Sequence, residues 1–138
     1  MTQEDKQLLL KDLCARLPYG VVVNYDGLAR PLFGIEPTQH FQITLDNALD
    51  GEHNGLVYVS LDVDGEVPKP YLRPMSSMTE EEKKKVFSIS QEGNIEYHYG
   101  VFYRCQDYLN SIYVDYRGLI EKGLALEAPN GMYNLEKK

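Results

Sequence analysis

Three prolines, Pro68, Pro70 and Pro74, fall close together in this chain of 138 residues. Each lacks the backbone N–H that a strand ladder or a helix interior needs, and each locks φ near about −65°. Residues 66–78 therefore predict a stiff connector that is neither a central strand nor a helix interior. The sequence before it alternates largely as a sheet does. The sequence after it mixes helical faces with two further strand-like runs.

Upstream, the chain predicts a helix that begins at Thr2, with Asp5 completing a capping box. Glu4 and Asp5 suit its positive end, and Lys11 and Arg16 its negative end. Leu9, Leu10, Leu13, Cys14 and Leu17 make one apolar face, which puts Cys14 in the core. Pro18 and Gly20 stop the helix. Residues 20–25 are β-branched, and Asp26-Gly27 is a two-residue hairpin turn. The return strand runs from Leu28 to about Ile35, with Pro31 marking an edge or a break. Phe41, Ile43 and Leu45 alternate with polar neighbours, and residues 46–55 form a loop. From Leu56 to Asp64, Val57, Val59, Leu61 and Val63 face one way and Tyr58, Ser60, Asp62 and Asp64 the other, which reads as a meander with one wet face.

Downstream, Ser77 or Thr79 caps a helix supported by Glu80–Lys84 and Glu81–Lys85 pairs. Phe87–Ser90 and Ile95–Tyr103 predict strands around a Glu92-Gly93-Asn94 turn. Cys105, Tyr108, Leu109 and Ile112 make a helical face. Asp115 caps a second short helix from Tyr116 to Lys122, closed by Gly123, and Leu124 and Leu126 pack back. Pro129-Asn130-Gly131 is a turn, and the tail frays from Leu135. The expected fold is α+β in a single domain: an N-terminal helix, an antiparallel β-meander of about four or five strands, and short C-terminal helices packed on one face.

The formal net charge of −7 argues against broad charge-driven binding to nucleic acid or anionic membranes. Cys14 and Cys105 stand far apart and no Cys/His cluster occurs, so no metal and no cofactor is expected. The polar N-terminus and the lack of a long apolar run predict a cytoplasmic protein with no membrane partner.

Two stretches carry a resemblance. One is Lys69-Pro70-Tyr71-Leu72-Arg73-Pro74-Met75-Ser76-Ser77-Met78-Thr79-Glu80-Glu81-Glu82. The other runs from Asp107 to Tyr133 and contains Leu109-Asn110, Asp115-Tyr116-Arg117-Gly118-Leu119-Ile120 and Gly123-Leu124-Ala125-Leu126-Glu127-Ala128-Pro129. Both resemble a family of small uncharacterised proteins from gut Bacteroidetes, associated with prophages or other mobile elements. The resemblance implies an accessory or phage-related role and no established reaction. Members of that family often carry a His pair where this chain has Ile112 and Tyr113, so histidine chemistry is not implied there.

The aromatic residues offer the main functional signal. Tyr97, Tyr99, Phe102, Tyr103, Tyr108, Tyr113 and Tyr116 crowd together with Arg104 and Arg117. Tyr and Arg are favoured in binding hot spots and stack on bases. Alternation of Tyr97, Tyr99, Val101 and Tyr103 on a strand equally describes half-buried packing. Tyr71 and Arg73, between Pro70 and Pro74, are either displayed by a stiff loop or laid over the sheet with Leu72 and Met75. The candidate binding residues are Tyr71, Arg73, Tyr113, Tyr116 and Arg117.

Asp62, Asp64 and Glu66 form a carboxylate rim that lacks the spacing of a calcium loop. His40, His53 and His98 are scattered, although Glu96 and His98 share a strand face on which a tuned acid–base pair can form. No phosphate loop, metalloprotease or hydrolase motif is present. The first functional reading is a non-enzymatic protein-interaction or adaptor module. The second is a nucleic-acid-linked regulatory protein of a mobile element, reading through its two C-terminal helices. The third is a small enzyme using His98 and Glu96.

Overall fold

The structure is a computed structural model that describes residues 2–36, 42–46, 55–61, 66–91 and 98–133. The capping box forms as the sequence predicts. Thr2 Oγ1 accepts from the Asp5 N–H at 3.0 Å, and Asp5 Oδ2 accepts from the Thr2 N–H at 3.1 Å. Helix α1 then runs Gln3–Arg16, and a 3-10 turn, Leu17–Tyr19, ends in Gly20 at φ 76°.

The buried face of α1 differs from the expected one. Leu9, Asp12, Leu13 and Arg16 point inward, and Cys14 is exposed. Counting i, i+3, i+4, i+7 from Leu9 reaches Asp12, Leu13 and Arg16. The stripe is thus turned towards a charged pair and away from Cys14, which sits five residues on from Leu9.

Six strands form a mixed sheet in the order β4-β3-β2-β1-β5-β6. They are β1 (Val22–Tyr25), β2 (Leu28–Glu36), β3 (Gln42–Asp46), β4 (Leu56–Ser60), β5 (Lys69–Leu72) and β6 (Leu126–Glu127). Strands β1 to β4 are the expected meander. The turn between β1 and β2 places both Asp26 (φ 54°) and Gly27 (φ 74°) in the left-handed region, as a two-residue hairpin requires. Val57, Val59 and Leu61 face inward with Ile43 and Leu45, while Tyr58 faces out. The expected residues Phe41 and Val63 lie outside the described residues.

Two prolines sit in strands that have neighbours on both sides, which corrects the expectation of an edge at Pro31 and of a strandless connector at 66–78. Strand β5 lies between β1 and β6: Val23 pairs with Pro70, and Tyr71 pairs in parallel with Leu126. The alternation of antiparallel pairs explains the tolerance. Tyr25 and Leu28 flank the turn as a hydrogen-bonded pair, so Val22–Pro31 is a non-hydrogen-bonded pair. Leu32 N–H accordingly reaches Val21 C=O at 2.9 Å. The position where Pro31 lacks a hydrogen faces β3, whose pairing with β2 begins only at Leu32. By the same rule Pro70 faces away from β1, and the β6 pairing begins only at Tyr71. Each proline occupies a ladder position where no donor is required.

After β5 the 3-10 turn Met75–Ser77 leads to α2, Glu80–Ser90, which Thr79 caps in a second capping box with Glu82. The charged residues of α2 lie largely on its exposed side, as expected, with Lys83 Nζ 3.4 Å from Glu80. Phe87–Ser90 belongs to this helix and not to a strand. The expected Ile95–Tyr103 strand is helical from His98 on, since α3 spans His98–Ser111; the Glu92-Gly93-Asn94 turn, Ile95 and Tyr97 lie outside the described residues. Helix α3 packs on α2, where the Cys105 thiol lies 4.0 Å from Val86 C=O, and that tertiary contact overrides the two-residue alternation of the tyrosines.

Helix α3 ends in an unusual way. Val114 N–H reaches Leu109 C=O and Tyr113 N–H reaches Asn110 C=O, both at 3.1 Å, so a Schellman closure places Tyr113 at a position normally held by glycine, with φ 63°. Residues 116–123 form turns, not the expected helix from Tyr116 to Lys122. Asp115 still acts as a cap, its two oxygens accepting from the Leu119 and Ile120 N–H groups at 2.9 Å. Gly123, expected to end that helix, closes the last of these turns at φ 74°. The Pro129-Asn130-Gly131 turn also forms, with Met132 N–H on Pro129 C=O at 3.1 Å.

One apolar cluster joins these parts. Leu9 and Leu13 of α1 meet Val21, Val23, Leu32, Ile43, Leu45 and Leu72 of the sheet region, and Tyr113, Leu119, Leu124 and Ala125 from beyond α3. Among the described residues, no helix is long and apolar enough to cross a membrane.

Candidate functional site

The charged stripe of α1 is the base of the most developed polar assembly among the described residues. Asp12 and Arg16 are fully buried one helical turn apart. Asp12 Oδ2 accepts from Arg16 Nε at 2.9 Å, and Asp12 Oδ1 accepts from Arg117 Nη1 at 2.7 Å. Arg16 Nη2 donates to Val114 C=O at 2.7 Å, and Arg16 Nη1 has no partner. One carboxylate thus serves two guanidinium groups. Asn110 at the end of α3 accepts from the Tyr116 hydroxyl at 2.9 Å, and the Arg117 guanidinium lies 4.4 Å from the centre of the Tyr116 ring. Burial pushes the Tyr116 phenol up from its usual value, so it remains a neutral donor to Asn110.

Above this assembly lies a groove of about 580 Å³ between α1 and α3. Helix α1 contributes Lys11, Cys14 and Ala15. Helix α3 contributes Tyr103, Arg104, Gln106, Asp107 and Asn110, and Arg117 reaches in from the following turn. Tyr103 is 65% exposed. Asp107 accepts a short hydrogen bond from the Tyr19 hydroxyl, which ties α3 to the 3-10 turn after α1. That bond, helped by burial and the carboxylate charge, raises the Tyr19 pKa to about 12. Partial burial pushes the Cys14 thiol up, so it stays protonated at neutral pH and is no activated nucleophile.

Only Arg117 of the five candidate binding residues lines this groove. Tyr116 packs beneath Arg117, and the structure brings these two together. Tyr113 is buried, donates its hydroxyl to Tyr19 C=O, and stacks on Tyr133. Arg73 is committed inward: it holds Glu82 with two bonds of 2.7 and 2.8 Å and also reaches Ser77 C=O and Ile112 C=O. The Arg73 hydrogen bonds hold the Glu82 carboxyl below its usual range, with help from the helix cap. The Tyr71 hydroxyl accepts from Asn24 Nδ2 at 2.8 Å across β1 and β5. The connector therefore packs as a strand, and the pair Tyr71/Arg73 stands apart from Tyr116/Arg117.

The remaining sequence candidates divide as follows. Glu66 Oε2 accepts from the Asp26 N–H at 2.7 Å, and Asp62 and Asp64 lie outside the described residues. His40, His53 and Glu96 also lie outside them, and His98 falls in the first turn of α3. Because residues 116–123 are turns, the second helix required for a helix-turn-helix is not formed. No group of three or more His, Cys, Asp and Glu suited to a metal ion occurs among the described residues.

Sequence reasoning missed Asp12 and Asn110, gave Lys11 and Arg16 only a place at the helix end, and named Tyr103 only within the aromatic cluster. The available signal was the helical count from Leu9, which places Asp12 and Arg16 on the stripe that faces the core. No family model, curated protein or solved structure matches the chain.

Proposed function

We propose that the protein is a non-enzymatic protein-interaction or adaptor module and that it docks its partner in the groove between α1 and α3. The observation that carries this reading is the make-up of the groove. It is open and rimmed by Tyr103, Arg104 and Arg117, residue types that dominate binding hot spots. Its base is held by the Asp12 network, so the rim needs little ordering when a partner binds. Small-molecule sites are mostly apolar enclosures with few polar groups. This one is open, with Lys11, Arg104, Gln106, Asp107, Asn110 and Arg117 among the side chains that line it. The resemblance of two stretches to proteins of mobile elements fits such an accessory role, with a host or phage protein as the partner to look for.

The test compares immobilised wild type with Tyr103→Ala/Lys11→Ala and, as a surface control, Tyr58→Ala, all checked for native circular dichroism. A partner retained by wild type and Tyr58→Ala but lost by the groove variant supports the reading. Equal retention by all three removes the groove from the interface. No specific retention by any of them removes the interaction-module reading.

A further inference from the structure

An arginine recognises a carboxylate well when its plane is held and one edge is left for the ligand. Arg117 meets both conditions. Nη1 is fixed by Asp12 Oδ1 at 2.7 Å, with Asn110 Oδ1 3.5 Å away, and one face lies over Tyr116. Among the described residues Nε and Nη2 have no partner, and neither is a buried unsatisfied atom. These two nitrogens form the edge whose parallel N–H groups match the two oxygens of a carboxylate.

Charge at the groove points the same way. Asp12 is one carboxylate shared by Arg16 and Arg117, which leaves the buried cluster with an excess positive charge. Lys11 and Arg104 stand on the groove walls, and the one lining carboxylate, Asp107, is engaged by Tyr19. A chain of net charge −7 has thus gathered cations at one groove.

Resting on the docking reading above, we propose that the groove grips an acidic segment of a partner protein, with an Asp or Glu carboxylate seated on the Nε/Nη2 edge of Arg117 and Lys11 supporting it. A nucleic-acid strand suits the site less, because the net charge of the chain opposes a long polyanion. Cys14, Ala15 and Tyr103 offer apolar contact to residues that flank the carboxylate.

The test is a titration of the full chain, labelled with nitrogen-15, with an acetylated and amidated peptide of alternating glutamate and leucine, at roughly physiological ionic strength. Its glutamine counterpart and inorganic phosphate are run alongside. Saturable shifts of the Arg117 Nε–Hε signal and of the Lys11 and Arg104 amides, seen with the glutamate peptide alone, are expected. Lys11→Glu, an exposed change outside the Asp12 network, should weaken binding by roughly fivefold. Arg117→Lys should weaken it further, because the two-point contact goes while the charge stays. If that variant loses its fold, Lys11→Glu decides alone. An Arg117 Nε signal that does not move, or that moves equally with the glutamine peptide, overturns the proposal. Phosphate reproducing the shifts and excluding the peptide overturns the acidic-segment assignment in favour of a small-anion site. Groove-dependent partner capture without glutamate-peptide binding leaves the docking reading standing and removes this one. Peptide binding without groove-dependent capture removes the docking reading and with it the partner segment, leaving a carboxylate site with no protein occupant.

Discussion

The ring of Tyr133 lies flat on that of Tyr113, with 3.7 Å between centroids and 8° between planes. Both hydroxyls are held by main chain. Tyr113 donates to Tyr19 C=O, while Tyr133 donates to Tyr71 C=O at 2.7 Å and accepts from Val22 N–H at 3.0 Å. Continuing the β1–β5 register from Val23–Pro70 would set Val22 opposite Tyr71. The Tyr133 hydroxyl stands in for that ladder bond.

Tyr133→Phe keeps the stacked ring and strands the Val22 N–H and the Tyr71 C=O. A loss of about 1–3 kcal/mol is expected, read from urea unfolding. A loss below about 0.5 kcal/mol would show that solvent replaces the hydroxyl without cost.

Removing Asp12 leaves two cations without their anion, one of them fully buried. Asp12→Ala should cost about 3–5 kcal/mol. Glu80→Ala, at an exposed pair, should stay within about 0.5 kcal/mol. Equal effects in thermal or chemical unfolding would contradict the view that Asp12 holds α1 to residues 110–117.

Glu82 supplies an acid-side pH dependence. Its carboxyl is held below the usual value of 4.5 by Arg73. The folded protein therefore binds this proton less readily than the unfolded chain. The stabilisation is present above pH 4.5 and is lost as pH falls through the lower folded value. Glu82→Gln should be less stable than wild type at neutral pH and should converge with it in acid. Parallel stability curves at all pH values would rule out this linkage.

On the alkaline side Tyr19 has the opposite sign. Its folded pKa of about 12 lies above the ordinary 10.0, so its contribution is full below pH 10 and falls away as pH rises through about 12. Tyr19→Phe should show a shallower loss of stability across that window. Asp107→Asn should return the Tyr19 titration, followed by absorbance, towards the ordinary value.

Cys14 is exposed in the groove, and Cys105 is less accessible. A thiol reagent should modify Cys14 first under native conditions, and Cys14→Ser should remove the fast phase. Binding of the acidic peptide should slow that phase. An unchanged fast phase in Cys14→Ser would place the reactive thiol elsewhere.

The parts of the fold legible in the sequence are those decided by chemistry within a few residues. Thr2 with Asp5, Thr79 with Glu82, and Asp26-Gly27 all form as their local pattern demands. The strand around Val57 and Val59 is legible because alternation survives wherever one face is wet. Elements settled by distant partners were not. Strand β5 contains a proline and is readable only once β1 and β6 are known to avoid its missing donor. Strand β6 is two residues long and exists because Tyr71 and Leu72 lie beside it. Tyr113 gave no sign of a left-handed turn, since glycine is the usual residue there. At the candidate site Arg117 was legible as a residue type. Its setting was not, because an Asp and an Arg four apart on a helix ordinarily describe a solvated pair.

The hydroxyl of Tyr133 that bridges β1 and β5 also sets a constraint on biosynthesis. The Val22 N–H waits for a group made 111 positions later. Strand β5 likewise waits for Leu126, and α1 for Arg117. A nascent chain can form the β1–β4 meander, but it cannot close the sheet or give Asp12 Oδ1 its Arg117 partner until residues 117–133 have cleared the exit tunnel. In this protein β1, β5 and α1 are thus all completed by one segment, residues 114–133.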